Sequence, residues 1–185
     1  MTVRDVILRD ATGDDARALA AIYGHHVLHG SGTFEETPPS DGEMGVRLAS
    51  VLGRGLPYIV AVADGIVGFA YAAPFRPRAA YRYTVEDSVY VAPDQHGRGV
   101  GRALLGEVVA RCEALGLRQM VAVIGDSGNA ASIGLHRSMG FEMKGVTPAV
   151  GFKHDRWLDV VWMQRPLNAG AAEPPTGPGL DLEGR

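Results

Sequence analysis

Two apolar segments joined by Asp64-Gly65 limit the fold more than any other part of the sequence. The segments PYIVAVAD and GIVGFAYAAPF are rich in β-branched and aromatic residues, and an Asp-Gly pair between such segments is typical of a β-hairpin. A third strand-like segment, YRYTVEDSVYVAP, follows and ends at Pro93. Three consecutive strands exclude a fold in which strands and helices alternate regularly.

The flanking segments add helices and further strands. A strand at residues 3–10 precedes two helices, one beginning after Thr12 and one capped by Ser40. The three strands are followed by a helix from Gly99 to Leu115, a short buried strand, a short helix ending at Gly140 and two final strands. The predicted order is β-α-α-β-β-β-α-β-α-β-β, an α/β (α+β) fold with a mixed sheet and helices on its faces.

Composition indicates an ordinary globular domain. Of the 185 residues, 46% are hydrophobic and 21% are charged, and the formal net charge of −3 lacks the basic surplus of a nucleic-acid binder. No apolar run approaches the ~18 residues of a membrane span, and the N-terminus lacks the apolar segment of a secretory signal. We therefore expect a cytoplasmic protein that binds neither nucleic acid nor membrane; the single cysteine, Cys112, agrees with this and lies on the apolar stripe of the long helix.

The last segment of the chain differs in composition from the rest. Residues 168–185 are rich in Pro, Gly and Ala and show no apolar periodicity. The sequence therefore predicts a domain of residues 1–167 followed by a tail that is disordered or loosely attached.

The segment HGRGVG, residues 96–101, contains three glycines immediately before the long helix. Glycine permits a positive φ and a close approach to backbone N–H groups, and a helix N-terminus favours negative charge, so the pattern is typical of a phosphate-binding loop. It lacks the Lys-Ser/Thr pair of a P-loop, and Arg102 stands where a dinucleotide-binding loop has its final Gly or Ala. A plain tight turn between strand and helix is the alternative.

The wider segment VYVAPDQHGRGVGRALL resembles the acetyl-CoA loop of the GNAT acetyltransferases, whose pattern is Arg/Gln-x-x-Gly-x-Gly/Ala after a strand. Gly99 and Gly101 match this pattern, and His96 replaces its first residue. NAASIGLHRSMGF resembles the second GNAT signature, with His136 where many members have Tyr. TVEDSVYV, VAVIG and VGFKHDRWLDV resemble the phosphinothricin and methionine sulfone N-acetyltransferase group. The resemblance covers residues 3–167 and implies the GNAT acyl-CoA N-acyltransferase fold.

The resemblance implies that acetyl-CoA is the cosubstrate and that backbone N–H groups of the glycine-rich loop hold its pyrophosphate. It also implies that the strand before this loop separates from the strand MVAVIG, so that free N–H groups stabilise the oxyanion; the sequence itself shows no separation. The predicted cofactor-binding residues are Val89, Val91, His96, Gly97, Arg98, Gly99, Val100, Gly101, Arg102, Asn129 and Ser132.

Acetyl transfer to an amine requires a base for the amine and a proton for the leaving thiolate. Strand alternation in TVEDSVYV puts Thr84, Glu86 and Ser88 on one face and Asp87 on the other. Glu86, beside aromatic residues, is the candidate base with a raised pKa, and the resemblance places the catalytic Glu of the family here. A surface acid in an ion pair is the alternative role for Glu86, and Asp87 is the weaker candidate.

His136 is the candidate proton donor to the thiolate. Asn129, Ser132 and His136 are spaced by three and four residues and therefore share one face of the short helix. The resemblance places position 136 near the leaving sulfur, and histidine titrates near neutral pH. A structural, hydrogen-bonded histidine is the alternative, with water as the donor.

Three segments are candidates for binding the acceptor: residues 31–36, residues 75–83 and the loop predicted around residues 151–156. Arginine makes bidentate contacts with a carboxylate or phosphinate, whereas a solvated surface charge is the alternative for any single arginine. The predicted substrate-binding residues are Phe34, Arg76, Arg78, Arg82, Tyr83, Ser88 and Lys153. His25 and His29 lie four residues apart without further ligands, so no metal site is expected.

Together these patterns predict an N-acetyltransferase that moves acetyl from acetyl-CoA to the α-amine of a small amino-acid analogue by direct attack in a ternary complex. The acceptors implied by the resemblance are phosphinothricin, methionine sulfone and methionine sulfoximine, and relatives commonly form homodimers. An acyl-CoA sensor without turnover and an enzyme with another amine acceptor are the alternatives. The joint presence of Glu86, Asn129 and His136 favours an enzyme, because a sensor has no need of a base.

Overall fold

The computed structural model describes residues 6–182. Its main elements are β1 (Ile7–Asp10), α1 (Ala16–His29), α2 (Asp41–Leu52), β2 (Tyr58–Ala63), β3 (Gly65–Pro74), β4 (Thr84–Val91), α3 (Val100–Ala114), β5 (Gln119–Gly125), α4 (Ala130–Ser138), β6 (Glu142–Lys153) and β7 (Arg156–Pro166). This order of helices and strands confirms the predicted one. The first strand was predicted from residue 3, and its first three predicted residues lie outside the described part.

The strands form one mixed sheet in the order β1-β2-β3-β4-β5-β7-β6. β4 and β5 pair in parallel, and the other neighbouring strands pair antiparallel. The β2–β3 hairpin turns at Asp64-Gly65 as predicted, and Gly65 has a φ of +101°, a conformation that favours glycine. Ser40 caps α2, because its hydroxyl oxygen accepts a hydrogen bond from the Glu43 amide.

The two faces of the sheet carry different helices. Tyr90 of β4 packs against Tyr23 of α1 with ring centroids 4.9 Å apart, whereas Val89 and Val91 on the other face lie beside Gly101 of α3. Cys112 is fully buried in the core that α3 forms with the sheet, as its position on the apolar stripe predicts. Within residues 6–182, none of the helices has both the length and the apolarity to cross a membrane.

The connection between the last two strands is shorter than predicted. In place of a loop at residues 151–156, β6 continues to Lys153, and only His154 and Asp155 form the turn. Both turn residues have positive φ values, +53° and +56°, the pattern of a tight two-residue hairpin. Lys153 therefore lies at the end of a strand, where the alternation of the strand sets the direction of its side chain.

Residues 168–182 lie along the surface of the domain. The disordered or loosely attached tail of residues 168–185 stays a prediction, and its last three residues lie outside the described part. The Leu180 amide donates to the Arg82 carbonyl at 2.8 Å, and the Tyr83 hydroxyl donates to the Gly177 carbonyl at 2.6 Å. Leu180 also packs against the core. These contacts hold the segment against the domain. The sequence pattern does not indicate them, because backbone hydrogen bonds and one apolar anchor require no helical or strand periodicity. The domain boundary at residue 167 stays a prediction.

Candidate active site

β4 and β5 pair over a short distance and then separate. The ladder joins Thr84 to Gln119, Val85 to Met120 and Glu86 to Val121, although both strands continue beyond it. Residues 87–91 of β4 therefore have backbone groups without a partner in β5. A cleft of about 720 Å³ opens at this point and is lined by both strand ends, by the loop before α3 and by α4. This is the separation that the resemblance implies.

The glycine-rich loop forms the anion-binding end of the cleft. Gly97 and Gly99 have φ values of +73° and +82°, and Gly99 is the N-cap of α3. A Cβ on Gly101 would lie 3.3 Å from the Leu135 side chain, a tight contact that this side chain would have to shift to relieve. The predicted cofactor-binding residues line the cleft with the exception of Arg98, which is exposed. An elongated cleft with a helix N-terminus at one end and a gap between strands at the other fits a thioester that carries a diphosphate.

Two histidines share the carbonyl of Val91 at the end of β4. His26 Nε2 lies 2.9 Å and His96 Nε2 3.1 Å from this oxygen, and both nitrogens donate because a carbonyl oxygen only accepts. Burial lowers the pKa of His26. His96 thus ties the loop to β4, and His26 of α1 is a cleft residue without a sequence signal, since it meets the loop only through the packing of α1.

Glu86 occupies the last paired position of β4 and points to the α1 face. It is half-buried, and burial raises its pKa, while the charge of Arg76 opposes this and that of Asp87 adds to it. Ser88 is the next residue on this face, interacts with Tyr71 and lines the cleft where the strands separate. A carboxylate with a raised pKa beside the gap can accept a proton from an amine.

Asp87, which follows Glu86 in β4, points to the face opposite that of Glu86 and contacts His136 of α4. The Oδ2 atom of Asp87 lies 2.9 Å from His136 Nε2, and His136 Nδ1 lies 2.8 Å from the Ser132 carbonyl oxygen. Burial acts to lower the pKa of His136, but the Asp87 carboxylate and the Ser132 carbonyl raise it overall. The sequence did not predict this contact, because Asp87 and His136 are 49 residues apart and meet only when α4 packs on the sheet.

The loop between α1 and α2 closes over the strand ends. Phe34 of this loop is partly exposed, and a Cβ on Gly151 would overlap its ring. A Cβ on Gly125 would overlap the Ser31 carbonyl and crowd the same ring. Phe34 therefore lies at the edge of the site because two facing strand positions lack side chains.

The cationic residues predicted to bind substrate fall into two groups. Arg76 is exposed, and its positive charge acts to lower the pKa of Glu86. Arg78 is exposed on the same loop. Arg82 instead donates from Nε to the Ala79 carbonyl and contacts the C-terminal segment, as does Tyr83. Lys153 is 3% exposed, and its Nζ donates to the carbonyls of Gly30 and Thr33. Arg82, Tyr83 and Lys153 thus make hydrogen bonds within the protein, and their contacts with the acceptor stay a prediction.

The sequence is similar to those of known acetyltransferases. Residues 27–141 match the model of the acetyltransferase (GNAT) family. The chain is 58% identical to phosphinothricin N-acetyltransferase from Alcaligenes faecalis over 91% of this chain and 84% of the relative. It is 41% identical to L-methionine sulfoximine/L-methionine sulfone acetyltransferase from Pseudomonas aeruginosa over 90% of this chain and 98% of the relative.

The fold likewise has a solved counterpart. The crystal structure of a GNAT superfamily phosphinothricin acetyltransferase from Sinorhizobium meliloti in complex with acetyl-CoA superimposes with a TM-score of 0.90 and 51% identity. The match covers 93% of this chain and 94% of that one. The chain therefore belongs to the GNAT family of acetyltransferases, and acetyl-CoA is its cosubstrate.

Proposed function

We propose that this N-acetyltransferase acts on the α-amine of a small amino-acid analogue of the phosphinothricin, methionine sulfone or methionine sulfoximine type. The observation that carries the proposal is the position of Glu86 where β4 and β5 separate, directly before Asp87 and Ser88, which line the cleft. Arg76 lies near enough to Glu86 to act on its charge and offers a bidentate partner for a carboxylate or phosphinate. The names of the relatives from Alcaligenes and Pseudomonas point to the same acceptors.

The reaction follows from these positions. Glu86 takes a proton from the acceptor amine, directly or through water, and the amine nitrogen attacks the thioester carbonyl carbon. Backbone N–H groups around Val89 to Val91 stabilise the carbonyl oxygen as it gains charge. The C–N bond forms, the C–S bond breaks, and the thiolate receives a proton from His136 or from water.

Direct attack is supported by the state of Cys112. This thiol is fully buried in the core, and burial raises its pKa to about 12, with the charges of Asp87 and Glu113 adding to the effect. A neutral thiol without access to the cleft is a poor nucleophile. An acetylated cysteine is therefore not part of the proposed path.

We propose further that the protein is a cytoplasmic homodimer. The β6–β7 hairpin exposes large apolar side chains, with Phe152 of β6 55% and Trp157 of β7 64% exposed and the two rings in contact. Apolar surface of this kind is typical of an interface between subunits. The buried thiol of Cys112 suits a reducing compartment. Sedimentation of the protein and of a Trp157→Glu variant tests the dimer, which the substitution should weaken.

The acceptor proposal is tested by measuring free CoA released from acetyl-CoA in the presence of phosphinothricin, methionine sulfone, methionine sulfoximine and a panel of amino acids. We expect turnover with the analogues and weaker turnover with most amino acids. Calorimetry with acetyl-CoA alone provides the control. Binding of acetyl-CoA without CoA release from any amine would support the sensor alternative, and release only with a different amine would support another acceptor.

A further inference from the structure

Asp87, His136 and Ser132 form a hydrogen-bonded chain from the core to the cofactor cleft. The Asp87 side chain is 1% exposed and His136 is 4% exposed, whereas Ser132 is half-buried, and all three line the cleft. The Ser132 hydroxyl lies 3.3 Å from His136 Nδ1. We propose that this chain is a proton relay in which the Ser132 hydroxyl hands the proton of His136 to the leaving thiolate, with Asp87 as the positioning residue. The inference rests on the proposed acetyl transfer and names the donor that the reaction leaves open.

The partners of His136 determine where its protons are. The Ser132 carbonyl oxygen only accepts hydrogen bonds, so the Nδ1 atom at 2.8 Å carries a hydrogen. Nε2 faces the Asp87 carboxylate oxygen, which also accepts. Both ring nitrogens are therefore donors, and the ring is held as a cation paired with Asp87.

The other groups around the ring do not compete for this proton. Phe141 presents its ring to His136 in a T-shaped contact at 5.0 Å, and Cys112 of α3, near Asp87, is a neutral thiol. Asp87 Oδ1 is buried without a hydrogen-bond partner in the described part of the chain. An unpaired buried carboxylate oxygen is costly, so the contact of Oδ2 with His136 is the one hydrogen bond that offsets the burial of this carboxylate in the described part of the chain.

The chain has the residue types of a Ser-His-Asp triad but not the proton arrangement of one. To activate Ser132 as a nucleophile, Nδ1 would need a free lone pair, and its short contact with the Ser132 carbonyl keeps a hydrogen there. The hydroxyl can instead accept from Nδ1 and turn its own hydrogen toward the cleft. The geometry therefore makes Ser132 a donor.

When the C–S bond breaks, the thiolate takes the hydroxyl proton of Ser132, and Ser132 takes the Nδ1 proton of His136. The ring becomes neutral and keeps its Nε2 hydrogen on Asp87. The contact of the unprotonated Nδ1 with the Ser132 carbonyl then favours uptake of a proton from solvent, which resets the relay.

A first experiment needs no turnover. Nitrogen NMR of ¹⁵N-histidine-labelled free enzyme follows the protonation of His136 with pH in the native protein and in Asp87→Asn, which keeps the shape and removes the charge. We expect His136 to keep its second proton to a higher pH in the native protein than in the variant. Equal titration of His136 in the two proteins would overturn the role of Asp87.

A second experiment measures kcat and KM of Ser132→Ala, Ser132→Thr, His136→Gln and the Ser132→Ala/His136→Gln double variant. We expect Ser132→Ala to lower kcat by about 10²-fold with little change in the KM for acetyl-CoA, and Ser132→Thr to restore most of the loss. The double variant should be no slower than His136→Gln, because both groups act in one step. The Ser132→Ala substitution leaves intact the backbone amide that Asn129 caps.

Several results would contradict the relay. Full activity of Ser132→Ala, equal losses in the alanine and threonine variants, or additive losses in the double variant would each exclude Ser132 as the donor. A native enzyme that acetylates no amine would instead contradict the proposed function, and the NMR result would still report on the Asp87–His136 pair.

Discussion

Glu86 and Asp87 are adjacent acids that strand alternation sends to opposite faces of β4. Glu86 lies on the α1 face near Arg76, and Asp87 lies on the α4 face against His136. In the proposed reaction Glu86 serves the acceptor amine, and Asp87 serves the leaving group through His136. The proposal thus puts base and acid chemistry on the two faces of one strand.

Replacing Glu86 by Gln should lower kcat by about 10²- to 10⁴-fold and leave acetyl-CoA affinity unchanged. Because burial raises the Glu86 pKa above its usual value of 4.5, the native kcat should rise with pH as this carboxyl loses its proton. The acidic limb of the pH profile should disappear in the variant. Glu107→Gln, which removes a surface carboxylate paired with Arg111, is the control for lost charge. An unchanged kcat in Glu86→Gln would exclude Glu86 as the base.

His96→Ala should change the Kd for acetyl-CoA by no more than about twofold, because we expect the backbone N–H groups of the loop to hold the diphosphate. His26 keeps its own hydrogen bond to the Val91 carbonyl when His96 is removed. Calorimetry of acetyl-CoA binding to the two proteins checks this. A loss of affinity of about tenfold would show that the imidazole itself contacts the cofactor.

At the level of elements, the order of strands and helices followed from turn residues and periodicity, whereas the gap between β4 and β5 did not. The position where the ladder ends depends on two strands that are distant in sequence, and no residue pattern in either one marks it. The turn after Lys153 was also missed, because His154 and Asp155 adopt positive φ without a glycine. That shift of the strand end turns Lys153 toward the Gly30 and Thr33 carbonyls.

Gly99→Ala tests the loop as an element. At a φ of +82° a Cβ introduces backbone strain of about 1–3 kcal/mol, so we expect lower stability and a higher Kd for acetyl-CoA. Gly106→Ala is the matched control, because it lies inside α3, where an added Cβ would meet the Met139 side chain at an ordinary 3.7 Å. This control should be neutral or slightly stabilising, since alanine favours helix by about 1 kcal/mol over glycine. Thermal unfolding and calorimetry of both variants measure these effects. A Gly99→Ala variant with native stability and native acetyl-CoA affinity would contradict the role proposed for the loop.

For the molecule as a whole, the C-terminal segment links parts of the domain that are far apart in sequence. Arg118 donates to the carbonyls of Glu173 and Pro174, and Arg54 donates to that of Asp181. Composition could not reveal these contacts, because they use backbone carbonyls that every residue carries. The predicted disorder and the observed contacts lead to different results on truncation.

A chain that ends at Leu167 should therefore unfold at a lower temperature than the full chain. Loss of the Leu180 anchor and of backbone hydrogen bonds to Arg82, Tyr83 and Arg118 should cost about 1–3 kcal/mol, or roughly 3–10 °C in Tm for a domain of this size. Leu180→Ser in the full chain should reproduce part of this loss, because it removes the apolar anchor alone. Calorimetric unfolding of the three proteins measures the difference, and acetyl-CoA binding serves as the control, since none of residues 168–182 lines the cleft. Equal Tm values would instead support a tail that is detached in solution, as its composition predicts.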